Sequence, residues 1–346
     1  MQSGLGEKGR KQPTLLDVAR HAKVSIASVS RVLNNVPPIS TELRALVEAS
    51  ILDVGYKVKR QSSSLQPTVV AVIGDANNTY FAEILAGIQD HARKQGFLVN
   101  VVVKDPDADF SSRFYRWIIR ANPEGLILCG SYGISEEYLL RIRNFGNIPV
   151  VAINRALTEA SLPTVRIDYE RAMATVVRHV VKFRHRRIAF LNGPEEAYSS
   201  RAKRIGVESA LGELGLPLAA ELHVERPATM EGGFEAMNTI FDLPPERRPT
   251  AVIASSDLMA FGAMHAIRIR GLSIPNDMTV VGFDDIAMAA HSDPPLTTIA
   301  PPKFEMGVRA MRLALESLAS PKSQYEEYLV MESPLIVRES SGHSPE

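Results

Sequence analysis

The first 56 residues contain short apolar stripes at helical spacing. In TLLDVARHAKV, apolar residues return every three or four positions, which predicts an amphipathic helix. Thr14, with Asp17 three residues later, has the form of a capping box at the start of that helix. Residues 22–24 predict a turn, Ser25 can cap a second helix, and TELRALVEASILDVGY predicts a third. We therefore expect a small helical bundle over residues 14–56.

From residue 68 onward, short apolar runs alternate with amphipathic stretches. Runs such as TVVAVIG, GLILCG and TVVGF predict buried strands, and YFAEILAGIQDHARKQG predicts a helix. Strands that alternate with crossover helices form parallel sheets covered on both faces. Because the runs are too many for one compact sheet, we expect two doubly wound lobes. The fold class is therefore α/β, with an all-α module at the N-terminus.

These patterns divide the 346 residues into segments. We expect, in order, a disordered tail over residues 1–13, a helical headpiece over 14–56, a basic and Ser-rich hinge or linker over 57–67, and a core over 68–340. The first lobe of the core takes about residues 68–157 and 288–318, and the second takes about 158–287 and 319–340. PPLTTIAPP is expected to return the chain to the first lobe. A final strand near residues 328–336 is expected to rejoin the second.

Charge is distributed unevenly along the chain. The whole chain has 39 basic and 39 acidic residues and a formal net charge of zero. Residues 1–66 contain ten Lys and Arg against five Asp and Glu, a net charge of +5, so the remainder carries −5. A basic N-terminal module on an acidic body fits phosphate binding at one end. Chance asymmetry on a solvated face is the alternative interpretation.

Three features bear on the compartment. The single cysteine, Cys129 in GLILCG, has no partner for an intramolecular disulfide and is expected to be buried. No apolar segment is long enough to span a bilayer. MQSGLGEKGRKQP lacks the hydrophobic core of a signal peptide. We expect a cytoplasmic protein without a membrane partner.

Ligands of doubly wound folds bind at the carboxyl ends of strands. The residues that follow predicted strands include Asn77, Tyr80, Phe81, Asn154, Ser256 and Asp284. Asp284, at the end of TVVGF, can accept two hydroxyl groups, and Arg201, at the start of a helix, offers a fork of donors. Helix capping and core packing are the structural alternatives for these side chains.

The run TLLDVARHAKVSIASVSRVLNN, the third helix and its closing Gly55-Tyr56 resemble the headpiece of the lactose/galactose repressor family of bacterial transcriptional regulators. The resemblance extends to about Ile336. It implies a helix-turn-helix DNA-binding headpiece and a two-lobed, periplasmic-binding-protein-like core in a homodimer. The implied partners are double-stranded operator DNA and a small-molecule effector, such as a sugar or sugar derivative, and no cofactor is implied.

The resemblance also assigns residues to each ligand. Ile26, Ala27 and Arg31 match positions that read base edges, and Leu65 matches a leucine that a hinge helix wedges into the minor groove. The other implied DNA contacts are Thr14, Ser25, Ser28, Asn34, Lys57 and Lys59. The implied effector contacts are Tyr80, Phe81, Asn154, Arg201, Ser256 and Asp284. Ala228 and Pro301 stand where relatives carry an aromatic stacker and a glutamine, so the effector class stays open.

Enzyme motifs give no support to a catalytic function. The eight histidines form no H-x-x-x-H pair, so the sequence predicts no metal site. The chain has no Walker-type glycine loop, no G-x-S-x-G, and no G-x-G-x-x-G after its first predicted strand. We expect a transcriptional regulator, most simply a repressor. A cytoplasmic small-molecule-binding module and a doubly wound enzyme without DNA binding remain the alternatives.

Overall fold

Three short helices form the headpiece that the apolar stripes predict. The computed structural model describes residues 13–33, 36–56, 66–104, 110–130, 134, 136–146, 148–155, 162–320 and 328–345. Helices α1 (Leu15–His21), α2 (Ile26–Leu33) and α3 (Thr41–Val54) enclose a core that includes Val18, Val29 and Val47. Residues 1–12 of the predicted tail and 57–65 of the predicted hinge lie outside the described residues.

The capping box predicted for the first helix is confirmed. Thr14 donates hydrogen bonds to the Asp17 carboxylate, at 2.8 Å from its backbone N–H and at 2.7 Å from its hydroxyl group. The hydroxyl bond and then the backbone bond lower the pKa of Asp17. At the next helix, the Ser25 hydroxyl oxygen accepts from the N–H of Ser28 at 3.0 Å, so Ser25 caps α2 as expected.

The first lobe contains a six-stranded parallel sheet. Its strands lie in the order β11-β5-β4-β3-β1-β2. The strands and helices are β1 (Thr68–Ile73), α4 (Thr79–Lys94), β2 (Leu98–Val103), α5 (Phe110–Ala121), β3 (Gly125–Cys129), α6 (Glu136–Gly146), β4 (Val150–Ile153), β5 (Thr164–Ile167), α11 (Lys303–Ala319) and β11 (Tyr328–Met331). Strands β1, β3 and β4 are almost entirely buried, as their continuous apolar runs predict.

The second lobe contains a second six-stranded sheet, in the order β12-β10-β9-β8-β6-β7. All its pairs are parallel except β12 with β10. Its elements are α7 (Tyr169–Lys182), β6 (Ile188–Asn192), α8 (Tyr198–Glu213), β7 (His223–Glu225), α9 (Met230–Phe241), β8 (Ala251–Ala254), α10 (Asp257–Arg268), β9 (Thr279–Phe283), β10 (Thr297–Ile299) and β12 (Leu335–Ile336).

The predicted boundaries between the lobes were wrong at three strands. β5, expected at the start of the second lobe, pairs with β4 in the first sheet. β10, expected in the first lobe, pairs with β9, and its two threonines are fully buried. The predicted final strand is two strands, of which β11 lies in the first sheet and only β12 in the second. The local apolar pattern shows that a strand is buried but does not specify its partner.

The single cysteine is buried, as the apolar run around it predicts. Cys129 is fully buried, and burial raises the pKa of its thiol to about 12. None of the helices in the described part of the chain combines the length and apolar character that a membrane span requires.

Helices α4 and α11 of the first lobe approach each other closely at glycines. An ideal Cβ added to Gly87 of α4 would lie 2.0 Å from the carbonyl oxygen of Phe304, and one added to Gly307 of α11 would lie 2.1 Å from that of Ile84. Both obstacles are backbone atoms, so a larger residue at either position forces the helices apart.

We expect Gly87→Ala to destabilise the protein. Overpacking of this kind costs about 1–3 kcal/mol, which corresponds to a fall in Tm of about 2–12 °C for a domain of this size. The control is Gly212→Ala in α8, where an added Cβ meets nothing within 4 Å. That substitution is expected to stabilise the helix by roughly 0.5–1 kcal/mol. Thermal denaturation followed by circular dichroism measures both, and equal Tm values for the two variants would contradict the assignment.

Candidate functional site

A cavity of about 350 Å³ lies between the two lobes. Its walls come from segments that follow the carboxyl ends of strands in both sheets, where ligands of such folds bind. On the first lobe these segments include Asp75 after β1 and Asn154 after β4. On the second lobe they include Ser255 after β8 and Asp284 after β9. The cavity therefore lies where the alternation of strands and helices predicted a ligand.

Asp284 places a carboxyl group in this cavity. The residue is only 8% exposed, and its φ of +119° is outside the range that residues with a side chain ordinarily adopt. Its main-chain carbonyl accepts a hydrogen bond from Nζ of Lys303 at 2.5 Å. Burial raises the pKa of the Asp284 carboxyl, whereas the ammonium groups of Lys203 and Lys303 lower it. A strained backbone that holds a buried carboxyl against a cavity is typical of a ligand-binding position.

A second buried carboxyl, that of Asp257, supports the loop after β9. It accepts hydrogen bonds from the Thr298 hydroxyl at 2.6 Å and from the Ile286 N–H at 2.8 Å. Asp257 is fully buried, and burial followed by the charge of Asp284 raises its pKa. Since Asp257 is bonded to residues on both sides of this loop, it positions Asp284 without lining the cavity itself.

Lys203 of α8 contributes a buried cation to the cavity. Its side chain is 7% exposed, and Nζ donates to the carbonyl oxygen of Ser255 at 2.7 Å. The ammonium group also lies 3.8 Å from the centre of the Phe283 ring and 5.2 Å from that of Tyr169, within range of cation–π attraction. Burial lowers the pKa of Lys203, and the charges of Asp284 and Asp257 oppose that effect.

The first lobe contributes an aromatic wall and an oriented amide. Phe81 and Tyr80, at the start of α4, meet edge to face with ring centres 5.4 Å apart. Nδ2 of Asn154 donates to the Tyr80 hydroxyl oxygen at 2.7 Å, and Oδ1 of Asn154 accepts from the Ile167 N–H at 3.3 Å. Burial, and then the charge of Asp284, raises the pKa of Tyr80 well above its usual value. The Tyr80 hydroxyl group therefore stays protonated, and it can donate a hydrogen bond to a ligand.

Ser256, also predicted as a contact, lines the cavity and begins α10. Its hydroxyl oxygen accepts from the Met259 N–H at 3.3 Å, so the residue is also a helix cap. The structure therefore brings together five of the seven predicted effector contacts, namely Tyr80, Phe81, Asn154, Ser256 and Asp284.

The other two predicted contacts do not line the cavity. Arg201 is exposed, and its Nη1 donates to the carbonyl oxygen of Glu195 at 2.6 Å. Asn77 is exposed, and its N–H donates to Asp75 at 2.9 Å. Asp75 and Asn78 line the cavity instead. Each predicted residue lies one or two positions along the chain from a residue that lines the cavity. In a helix or a tight turn, that offset is enough to reverse the direction of a side chain.

Lys203 is the main residue that the sequence reasoning missed. Two residues along an α-helix rotate the side-chain direction by about 200°, so Lys203 faces the cavity and Arg201 faces solvent. A signal was present in the sequence. Lys203 lies on the buried stripe of α8 with Gly206, Val207 and Ala210, and a lysine within an apolar stripe indicates a buried, functional cation.

The headpiece presents its predicted DNA-reading residues on one outer surface. Val29 and Val32 of α2 are buried, whereas Ile26, Ala27 and Arg31 are exposed, with Ile26 at 47%. Thr14 and Ser25 are exposed as well, and Ser28 is half-buried against Ser25. An exposed, partly apolar face on a short helix fits a major groove. Asn34, Lys57, Lys59 and Leu65 lie outside the described residues.

Sequence comparisons agree with this architecture. Residues 14–58 match the profile of bacterial regulatory proteins of the lacI family, and residues 177–341 match a periplasmic binding protein-like domain. The HTH-type transcriptional repressor CytR of Escherichia coli strain K12 is 34% identical over 348 aligned positions, which cover 98% of this chain and 100% of CytR. The chain belongs to the lacI family. The alignment with this lacI-family repressor spans the headpiece, the lobes and the cavity between them.

Solved structures of transcriptional regulators show the same fold. A complex of the transcriptional regulator CelR with cellobiose is 28% identical, covers 95% of this chain and 100% of CelR, and has a TM-score of 0.74. A lacI-family regulator from Enterococcus faecium with bound ribose is 25% identical, covers 80% of this chain and 98% of its own, and has a TM-score of 0.70. CytR and these two proteins are all transcriptional regulators.

Proposed function

We propose that this protein is a sequence-specific DNA-binding transcriptional repressor. A small-molecule effector, a sugar or sugar derivative bound between the lobes, controls its affinity for the operator. The observation that carries the proposal is the similarity to the repressor CytR, 34% identity over 98% of this chain, because it includes the headpiece and the cavity together. The protein acts in the cytoplasm as a homodimer, whose two-fold symmetry matches a palindromic operator.

The exposed face of α2 supports the DNA-binding part of the proposal. Ile26 and Ala27 have no hydrogen-bonding side chain, so they offer apolar contact, for instance to thymine methyl groups. Arg31 can donate bidentate hydrogen bonds to guanine O6 and N7. The net charge of +5 on residues 1–66 supplies attraction to phosphates. Thr14, Ser25, Ser28, Asn34, Lys57, Lys59 and Leu65 complete the proposed DNA contacts.

The groups that line the cavity support a neutral, hydroxyl-rich effector. The buried carboxyl of Asp284 accepts hydrogen bonds, the buried ammonium of Lys203 donates them, and their opposite charges offset each other. Tyr80 and Asn154 add a hydroxyl and an amide, and Phe81 adds an apolar wall, as ring faces of sugars require. The structural relatives that hold cellobiose and ribose point to the same class.

The experiment has a DNA arm and an effector arm. The full-length protein selects a binding sequence from random duplexes, and fluorescence anisotropy then measures its affinity over a salt series. We expect specific binding, and we expect the logarithm of the association constant to fall linearly with the logarithm of the salt concentration. Sugars, sugar acids, polyols and nucleosides are screened by thermal shift, since a ligand at about 100 times its Kd adds about 2.7 kcal/mol of stability. Absence of binding to any duplex at low salt would overturn the proposal.

Arg31→Ala is expected to weaken binding to the selected operator by about 1–3 kcal/mol, roughly 5- to 150-fold, because it removes a bidentate base contact. Binding to random duplex should change little. The control is Arg20→Ala, which removes an exposed headpiece arginine on α1 whose ion pair with Asp17 spans 3.9 Å. Equal losses on operator and random DNA for Arg31→Ala would make Arg31 a phosphate contact and contradict the prediction.

A further inference from the structure

The edge of the second sheet brings together three metal-ligand side chains outside the cavity. His223 and Glu225 are two residues apart on the edge strand β7, so both side chains lie on the same face. β7 pairs with β6, and Glu195 lies in the loop that follows β6. One ligand atom from each of Glu195, His223 and Glu225 lies within 4.8 Å of the others. From this geometry we infer a binding site for a divalent transition metal ion, of which Zn²⁺ fits best.

The histidine of this cluster has an unsatisfied ring nitrogen. Nε2 of His223 is buried and has no hydrogen-bond partner within the part of the chain that the structure describes. The ring stacks on Phe190 with centres 5.7 Å apart and planes 13° from parallel, which fixes its direction. A buried imidazole nitrogen without a partner is unfavourable. The inferred site takes Nε2 as the ligand atom of His223, because coordination of a metal ion would satisfy a nitrogen that hydrogen bonding among the described residues leaves unpaired.

The carboxylate of Glu195 is held as a metal ligand requires. Its Oε1 accepts from Nδ2 of the fully buried Asn192 at 3.2 Å and from Nε of Arg204 at 2.9 Å. Metal-ligating carboxylates are commonly oriented by such outer hydrogen bonds, and Oε2 has no bond among the described residues. The positive charge of Arg204 is balanced by Glu208, with 2.8 Å between Nη1 and the carboxylate. The two ligating carboxylates then neutralise a divalent cation.

The ligand set selects the kind of ion. One imidazole and two carboxylates with an open position for water match zinc and related borderline ions, whereas calcium and magnesium prefer all-oxygen sites. Ligands of a tetrahedral zinc ion lie about 3.4 Å apart. The exposed side chain of Glu225 can rotate to close the remaining gap. A surface groove lined by Glu221, His223 and Glu225 gives an ion access from solvent.

Metal titration of the full-length, tag-free protein tests this site. After EDTA treatment and desalting, Co²⁺ is added and its visible absorption is followed, and Zn²⁺ binding is measured by calorimetry. We expect one ion per chain with the absorption of a tetrahedral nitrogen and oxygen site. His223→Gln should weaken the affinity at least about tenfold, since loss of even an outer-shell partner commonly costs 10- to 100-fold. The control, His291→Gln, replaces an exposed histidine elsewhere in the second lobe and should change nothing.

A second variant keeps the test decisive if His223→Gln fails to fold. Glu225→Gln changes an exposed side chain, so it should keep the fold and Tm of the metal-free protein but lose the increase in Tm that Zn²⁺ gives the wild type. The inference is overturned if the wild type binds neither ion. It is also overturned if Glu225→Gln and His291→Gln bind Zn²⁺ as tightly as the wild type.

Discussion

Asp284→Asn is expected to weaken effector binding strongly and to leave operator binding in place. The Asp284 carboxyl lines the cavity and is buried beside the ammonium groups of Lys203 and Lys303. A neutral amide removes the acceptor for ligand hydroxyls and leaves the lysines without their compensating charge. Hydrogen bonds to charged groups are worth about 1.5–3 kcal/mol, which predicts a rise in the Kd of the effector of roughly 10- to 150-fold.

The adjacent aspartate provides a matched control for this prediction. The Asp285 carboxylate forms an ion pair with Arg338, with 2.7 Å between Oδ1 and Nη2. Asp285 does not line the cavity. Asp285→Asn should lower the Tm by loss of that pair and should keep the effector Kd of the wild type. Calorimetry with the effector found by the thermal-shift screen, and anisotropy with operator DNA, measure both variants. If Asp284→Asn binds the effector normally, the effector site is not this cavity.

In this protein, local sequence patterns predict where helices and strands occur better than they predict which strands pair with each other. The stripes of α1 and α2 and the Thr14–Asp17 capping box depend on residues within one helical turn, so the headpiece could be predicted directly. The lobe of β10 is harder to predict, because polar Thr297 and Thr298 form no apolar run although both are fully buried in the second sheet. Burial of a threonine depends on a distant acceptor, here Asp257, which no local pattern specifies.

The same limit applies to the two sites. Asp284 and Asn154 could be predicted because the ends of parallel strands meet at one edge of a sheet. The cluster of Glu195, His223 and Glu225 could not, since it requires the register of β6 against β7. On α8 the resemblance to the repressor family points to Arg201, whereas helical periodicity places Lys203 on the buried stripe.

We expect Lys203→Met to raise the Kd of the effector roughly 10- to 150-fold and Arg201→Ala to leave it within about twofold of the wild type. The methionine side chain keeps the length and apolar packing of lysine over Phe283, but it cannot donate to the Ser255 carbonyl or to a ligand. Since the Lys203 ammonium lowers the pKa of Asp284, its loss also favours the protonated form of that carboxyl, which is a poorer acceptor. The expected loss is again about 1.5–3 kcal/mol of binding energy.

The Arg201 variant separates the cavity face of α8 from its solvent face. Among the described residues, Arg201 donates only to the carbonyl oxygen of Glu195 in the loop before the helix, so its removal should change neither the effector Kd nor the Tm by much. Both variants are measured by calorimetry with the same ligand, with circular dichroism as the check on folding. A normal Kd for Lys203→Met together with a large rise for Arg201→Ala would reverse the assignment. The solvent-facing arginine would then have to reach the ligand through a rearrangement of the 193–197 loop, which places the decisive contact outside the cavity described here.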